Sequence, residues 1–127
     1  PPRFLYKAAK KMNLTNIYDA VTLTAPCTHN AFLTHFNASL MYLIAKYGLS
    51  YVIKGKKGYT KPESVYDDVP VYDDYAPAIT DNIIYLIAGN GERKTDFVME
   101  AENAYKTVWS IKARKKRIYD RGYFDDV

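Results

Sequence analysis

Two apolar helical patterns separated by one glycine-bracketed break, Ala88-Gly89-Asn90-Gly91-Glu92, constrain this chain more than any other feature. Before the break, Ile79, Ile83 and Leu86, widened by Ile84 and Ile87, recur at helical spacing over roughly three turns. After it, Phe97, Ala101, Ala104, Val108 and Ile111 alternate steps of four and three residues. That spacing favours near-antiparallel packing against a neighbouring helix, and the small Ala101 and Ala104 allow close approach. The pair reads as a helical hairpin. Tyr105 and Trp109 lie beside the second stripe, and Glu100 and Glu102 are expected to face solvent.

The same logic places helices before the hairpin. Asp73 or Asp74 marks the start of the first hairpin helix, where free amides favour a carboxylate and Pro77 is tolerated in the first turn. Upstream, Asn13 or Thr15 caps a short helix carrying Leu14, Ile17 and Val21, which Pro26 ends. Thr28 or Asn30 then caps a longer helix. Phe32, Phe36, Leu40, Leu43 and Tyr47 line one face of it, Leu33, Met41 and Ile44 widen that face, and Gly48 is the expected stop. A partly exposed helix over 3–12 is also expected.

Between the helices the pattern changes. Tyr51-Val52-Ile53 reads as a short strand, Lys54-Gly55-Lys56-Lys57-Gly58 as a flexible basic tip, and 59–71 as an extended return. The stretch 49–72 is therefore expected as a projecting loop or short β-hairpin. The resulting fold class is mainly α: a single domain over 1–127, with a small bundle of about four helices over 14–111 and an extended C-terminal tail over 112–127.

That tail carries the strongest functional signal read from residues alone. Lys112, Arg114, Lys115, Lys116 and Arg117 fall all round a helix at about 100° per residue, so no face there can be buried in the domain. Ile118, Tyr119, Tyr123 and Phe124 follow with no helical partner of their own. Such a segment either frays into solvent or docks onto another molecule.

Composition narrows the function classes. A chain of 127 residues, 48% hydrophobic and 25% charged, has the size and balance of one globular domain. Thirteen Tyr point to contacts, because the ring is apolar and the hydroxyl tolerates water. A lone cysteine, Cys27, excludes a disulfide framework within the chain and fits a reducing compartment. The start of the chain lacks the apolar core of a signal peptide, and no apolar run has the length of a membrane span, so a soluble protein is expected. The net charge of +4 permits nucleic-acid contact without requiring it.

Catalysis finds little purchase. His29 and His35 are six residues apart, about 240° round a helix, and cannot share one face. Asp67, Asp68, Asp73 and Asp74 lack the alternating acidic spacing and glycine of a calcium loop. Gly55 and Gly58 lack the strand and helix of a phosphate loop. The expectation is a non-enzyme with no cofactor and no metal.

The run Val69-Pro70-Val71-Tyr72-Asp73-Asp74-Tyr75-Ala76-Pro77-Ala78-Ile79, then Ile83 to Leu86, Gly89-Asn90, and Phe97 to Tyr105, resembles the head-to-tail connector (adaptor) proteins of tailed bacteriophages. Ile17 to Val21, and Phe32 to the closing Tyr47-Gly48, are similar to the first helices of that family. The resemblance covers about 14–111. It implies a helical bundle assembled as a homo-oligomeric ring, a dodecamer of about twelve copies. That ring lies in the virion neck, joins the portal protein to the tail or next neck (stopper) protein, and lets DNA pass without specific binding.

In the family the C-terminal segment reaches onto the portal. Here Lys112, Arg114, Lys115, Lys116, Arg117, Ile118, Tyr119, Tyr123 and Phe124 occupy that position. The loop residues Tyr51, Lys54, Lys56, Lys57 and Tyr59 are expected to touch a neighbouring subunit or neck component. The alternative is a small basic DNA-binding module using the same lysines and arginines on phosphates. Against it, charge spread round a helix gives no groove-reading face.

Overall fold

Asn13 opens the first helix: its side-chain oxygen accepts from the Asn16 amide at 3.2 Å, and α1 runs Leu14–Thr24. Thr15 does not cap; its hydroxyl donates to the Val65 carbonyl at 2.9 Å. Thr28 starts α2, His29–Tyr47, by accepting from the Ala31 amide at 3.1 Å. Gly48 ends it at φ +85°, backbone that a side chain rarely adopts. The computed structural model describes residues 11–55 and 59–120, with side chains described for 12–55 and 59–112.

A single helical turn, α3 (Leu49–Val52), follows where a strand was expected over 51–53. Ile53 alone makes a β-bridge, to Val71. The true partner of β2 (Asp68–Tyr72) is β1 (Lys11–Asn13), antiparallel, with Met12 opposite Val69 and Asn13 opposite Asp68. The helix expected over 3–12 therefore does not extend to its last two residues, and 1–10 lie outside the described residues. Pairing between residues 57 apart in sequence, as Met12 and Val69 are, leaves no local signature, which is why the short-range reading missed it.

The described part of 49–72 lies against the bundle instead of projecting from it. Val65, Val69 and Val71 are buried, and Tyr59 donates from its hydroxyl to Asn37 Oδ1 at 3.1 Å. The Asp67 carboxylate accepts from the Glu63 and Ser64 amides, so this aspartate holds a turn. Lys56, Lys57 and Gly58 lie outside the described residues.

Asp73–Tyr75 forms a 3-10 turn that leads into α4, Ala76–Ala88. Neither Asp73 nor Asp74 caps α4 through its side chain; Tyr75 holds the cap position and Pro77 sits in the first turn, where its missing amide is harmless. Gly89, at φ +72°, turns the chain, and α5 runs Gly91–Asp120. The helical hairpin is thus present as read. Its second arm stays helical through 120, so the tail expected over 112–127 begins as a continuation of that helix.

Five helices and a two-stranded sheet, among the described residues, make a mainly α bundle. α4 is its centre and contacts α1, α2 and α5. Around it pack Phe32, Phe36, Leu40 and Leu43 from α2, Leu14 and Val21 from α1, and Phe97, Ala101 and Val108 from α5, all buried. Four positions assigned to apolar stripes or their widening are surface residues: Met41 and Leu86 are about 40% exposed, Ile111 43%, and Trp109 beside its stripe 46%.

Candidate functional site

The surface that α5 presents is built from two layers, an inner aromatic seam and an outer apolar edge. In the seam the Tyr47 and Tyr105 rings stack at 4.7 Å, Tyr51 meets Tyr105 edge-on at 5.3 Å, and Tyr42 tilts against Phe97 at 5.4 Å. Lys46 Nζ lies 5.4 Å from the Tyr47 ring and 5.9 Å from the Tyr42 ring. The seam locks the end of α2 and all of α3 onto the middle of α5. Four of the thirteen tyrosines are thereby used in contacts within the fold.

Outside the seam, Val98 (40% exposed) and Trp109 (46%) lie on one edge of α5. Eleven residues at about 100° each return to within about 20°, so the two side chains share a stripe. Between α2, α4 and the start of α5 a groove of about 290 Å³ opens, lined by Tyr42, Asn82, Leu86, Lys94, Phe97 and Val98. Sequence reasoning did not find this groove. It assigned Leu86 to the buried face, and nothing in the spacing shows that α2 leaves it 40% exposed.

Two polar contacts tie α5 to its neighbours, one to α2 and one to α4, and each has beside it a glutamate expected to face solvent. Tyr47 donates from its hydroxyl to Glu102 Oε2 at 2.6 Å. Burial, and then Glu102, push the Tyr47 phenol well above its ordinary range. Asp81, 8% exposed on α4, takes an ion pair from Arg93 Nη1 at 2.7 Å, and Glu100 on α5 lies beside it. Partial burial, the hydrogen bond to Asp81 and the charges of Asp81 and Asp96 push the Glu100 carboxyl up to about 7, against a smaller opposing effect of Arg93.

Glu100 makes folding pH-dependent with a definite sign. The folded protein keeps a proton that the unfolded chain releases at about 4.5, so the stabilisation is complete below that pH and is lost as pH rises towards about 7. Allowing for solvent screening of a partly exposed group, the effect is of order 1 kcal/mol. Urea unfolding at about pH 5 and about pH 8 should show the decline, and Glu100→Gln should flatten it.

Tyr75 behaves differently from Tyr47. Its hydroxyl is buried with no hydrogen-bond partner among the described residues. Tyr47→Phe should lower stability by about 1–2 kcal/mol by removing a hydrogen bond to a carboxylate. Tyr75→Phe, which removes a buried unpaired hydroxyl, should be neutral or stabilising by up to about 1 kcal/mol. Denaturant midpoints of the two variants measure the contrast.

The residues singled out from sequence divide three ways. Lys112 is half-buried, its Nζ 5.8 Å from the Tyr72 ring, and Lys54 Nζ lies 5.5 Å from the same ring, so one member of each expected contact set meets at Tyr72. Burial pulls the Lys54 ammonium below its ordinary range, against the opposing pull of Asp73 and Asp74. Tyr51 and Tyr59, expected to reach a neighbour, are engaged with Tyr105 and Asn37 of their own bundle. Arg114, Lys115, Lys116, Arg117, Ile118 and Tyr119 lie on the helical backbone of α5, their side chains outside the described residues, as are Tyr123 and Phe124 altogether.

His29 packs edge-on against Tyr18 at 4.9 Å, and the His35 carbonyl accepts from Ser39, each on its own part of α2. Among the described residues no group of three or more His, Cys, Asp or Glu is placed to hold a metal ion. Likewise no helix among them is long and apolar enough to cross a membrane. Comparison of the chain with protein-family models, with curated proteins and with solved structures finds no match.

Proposed function

We propose that the protein is a structural component of a phage neck: a head-to-tail connector that assembles as a ring, docks onto a portal and leaves a channel for DNA. The observation that carries this reading is the run of α5 beyond the core. Among the residues whose side chains are described, which end at Lys112, Val108 is its last buried one, and the helical backbone continues to Asp120, twelve residues and about 18 Å further. Lys112 at its start lies over Tyr72 of its own domain, which corrects the expectation that no face there is buried, and Arg114, Lys115, Lys116 and Arg117 follow on the same helix. Together with the resemblance over 14–111, this supports an arm that reaches an acidic surface on a larger assembly.

Lys112, Arg114, Lys115, Lys116 and Arg117 are then the portal-docking residues, and the neighbour below is a tail or neck protein. DNA traverses the ring with weak phosphate contacts, since tight ones would impede transit. The discriminating experiment titrates the purified chain separately with portal oligomer and with duplex DNA. Portal binding with only weak DNA affinity is the expected outcome. Tight duplex binding by a monomer, falling steeply with salt, would replace the connector by a basic DNA-binding module.

A further inference from the structure

The groove between α2, α4 and α5 has an apolar floor and a cationic rim. Phe97 at its base is 4% exposed, whereas Tyr42, Leu86 and Val98 are 45%, 40% and 40% exposed on its walls. Lys94 stands on the rim with its Nζ 5.6 Å from the Tyr85 ring, and Lys46, one turn beyond Tyr42 on α2, has its Nζ 5.9 Å from the Tyr42 ring. A site of this shape and charge takes an aromatic anchor followed by carboxylates. The chain carries that sequence itself, as Tyr123-Phe124-Asp125-Asp126.

Reach decides between self-filling and filling by a second copy. α5 is helical to Asp120, and Val98 is 22 residues upstream of that end, about 33 Å along the axis. Phe124 is four residues past Asp120 and, fully extended, reaches at most about 14 Å from it. A chain therefore cannot place Phe124 in its own groove.

We propose that Tyr123 and Phe124 of one copy seat in the groove of a second copy, with Asp125 and Asp126 beside Lys94 and Lys46. The groove and the segment that fills it lie at opposite ends of α5, so the contact is head-to-tail, the kind that closes into a ring or continues as a string. The proposal rests on the self-assembly in the connector reading. It moves Tyr123 and Phe124 from the portal contact to the contact between copies and leaves the basic turns of α5 to the portal.

The test uses full-length chains with Cys27→Ser, each carrying one new cysteine. Equal amounts of a Leu86→Cys chain and a Phe124→Cys chain are mixed, oxidised mildly and run on a non-reducing gel, after circular dichroism has shown each to be helical. The expected product is a mixed dimer near 29 kDa, twice 14.6 kDa, in severalfold higher yield than when Phe124→Cys is paired with a cysteine at the exposed position of Thr24. Equal yields would overturn the proposal. So would a double variant, Leu86→Cys with Phe124→Cys, that closes only on itself, or a Leu86→Cys chain that pairs instead with Leu5→Cys. The failures separate cleanly. Cross-linked open strings would support the head-to-tail contact and remove the ring, whereas closed rings without the cross-link would remove this contact and leave the ring.

Discussion

Ile83→Ala should lower the free energy of unfolding by about 2–5 kcal/mol, a large part of the 5–15 kcal/mol typical of a single domain. Ile83 is fully buried on α4, the helix that contacts α1, α2 and α5 together. Losing its outer carbons removes apolar contact and leaves a cavity that three converging helices cannot all close. Ile111→Ala is the informative control. Ile111 belongs to an equally regular stripe in the sequence, yet it is 43% exposed, and its truncation should change stability by no more than about 0.5 kcal/mol. Urea midpoints at unchanged slope measure both.

That pair of residues also shows what the sequence can convey. Spacing reveals which residues share a face, and it correctly grouped Phe32, Phe36, Leu40, Leu43 and Tyr47, all of which are buried. It does not reveal how far the neighbouring helix extends, which is what separates Ile83 from Ile111 and buries Ile84 while leaving Leu86 at the rim. The strand pair of 11–13 with 68–72 was hidden for another reason. Each strand is short, and only the assembled bundle brings them together.

The polar contacts of the hairpin were partly legible. In an antiparallel hairpin, residues equidistant from the turn face each other, and reflection about Asn90 sets Asp81 opposite position 99, next to Glu100. An acid within so apolar a helix as α4 requires a partner, and Arg93 supplies it at 2.7 Å. Glu100 and Glu102 were read as solvent-facing because the stripe was taken as one-sided. α5 instead meets α4 on one side and the α2–α3 corner on another, so both glutamates fall at the margins of a two-sided contact.

The second large effect concerns assembly. Removing residues 113–127 should leave the bundle folded, because every residue of the described core lies at or before Val108 and the Lys112 contact with Tyr72 is retained. Its thermal midpoint should move by no more than a few degrees, the shift that about 1 kcal/mol produces. Association with the portal should fall by roughly a hundredfold or more, about 2.7 kcal/mol, since the deletion takes Arg114, Lys115, Lys116 and Arg117 together. A truncated chain that unfolds would mean that the end of α5 belongs to the core. One that folds and binds the portal normally would remove the docking role from this segment.

The most direct measurement of the central claim is the mass of the assembly formed by the full chain with the portal oligomer encoded in the same genome, by sedimentation. The ring account predicts a complex heavier than the portal by about 175 kDa, twelve copies of 14.6 kDa. A chain that sediments at 14.6 kDa beside an unchanged portal would contradict it.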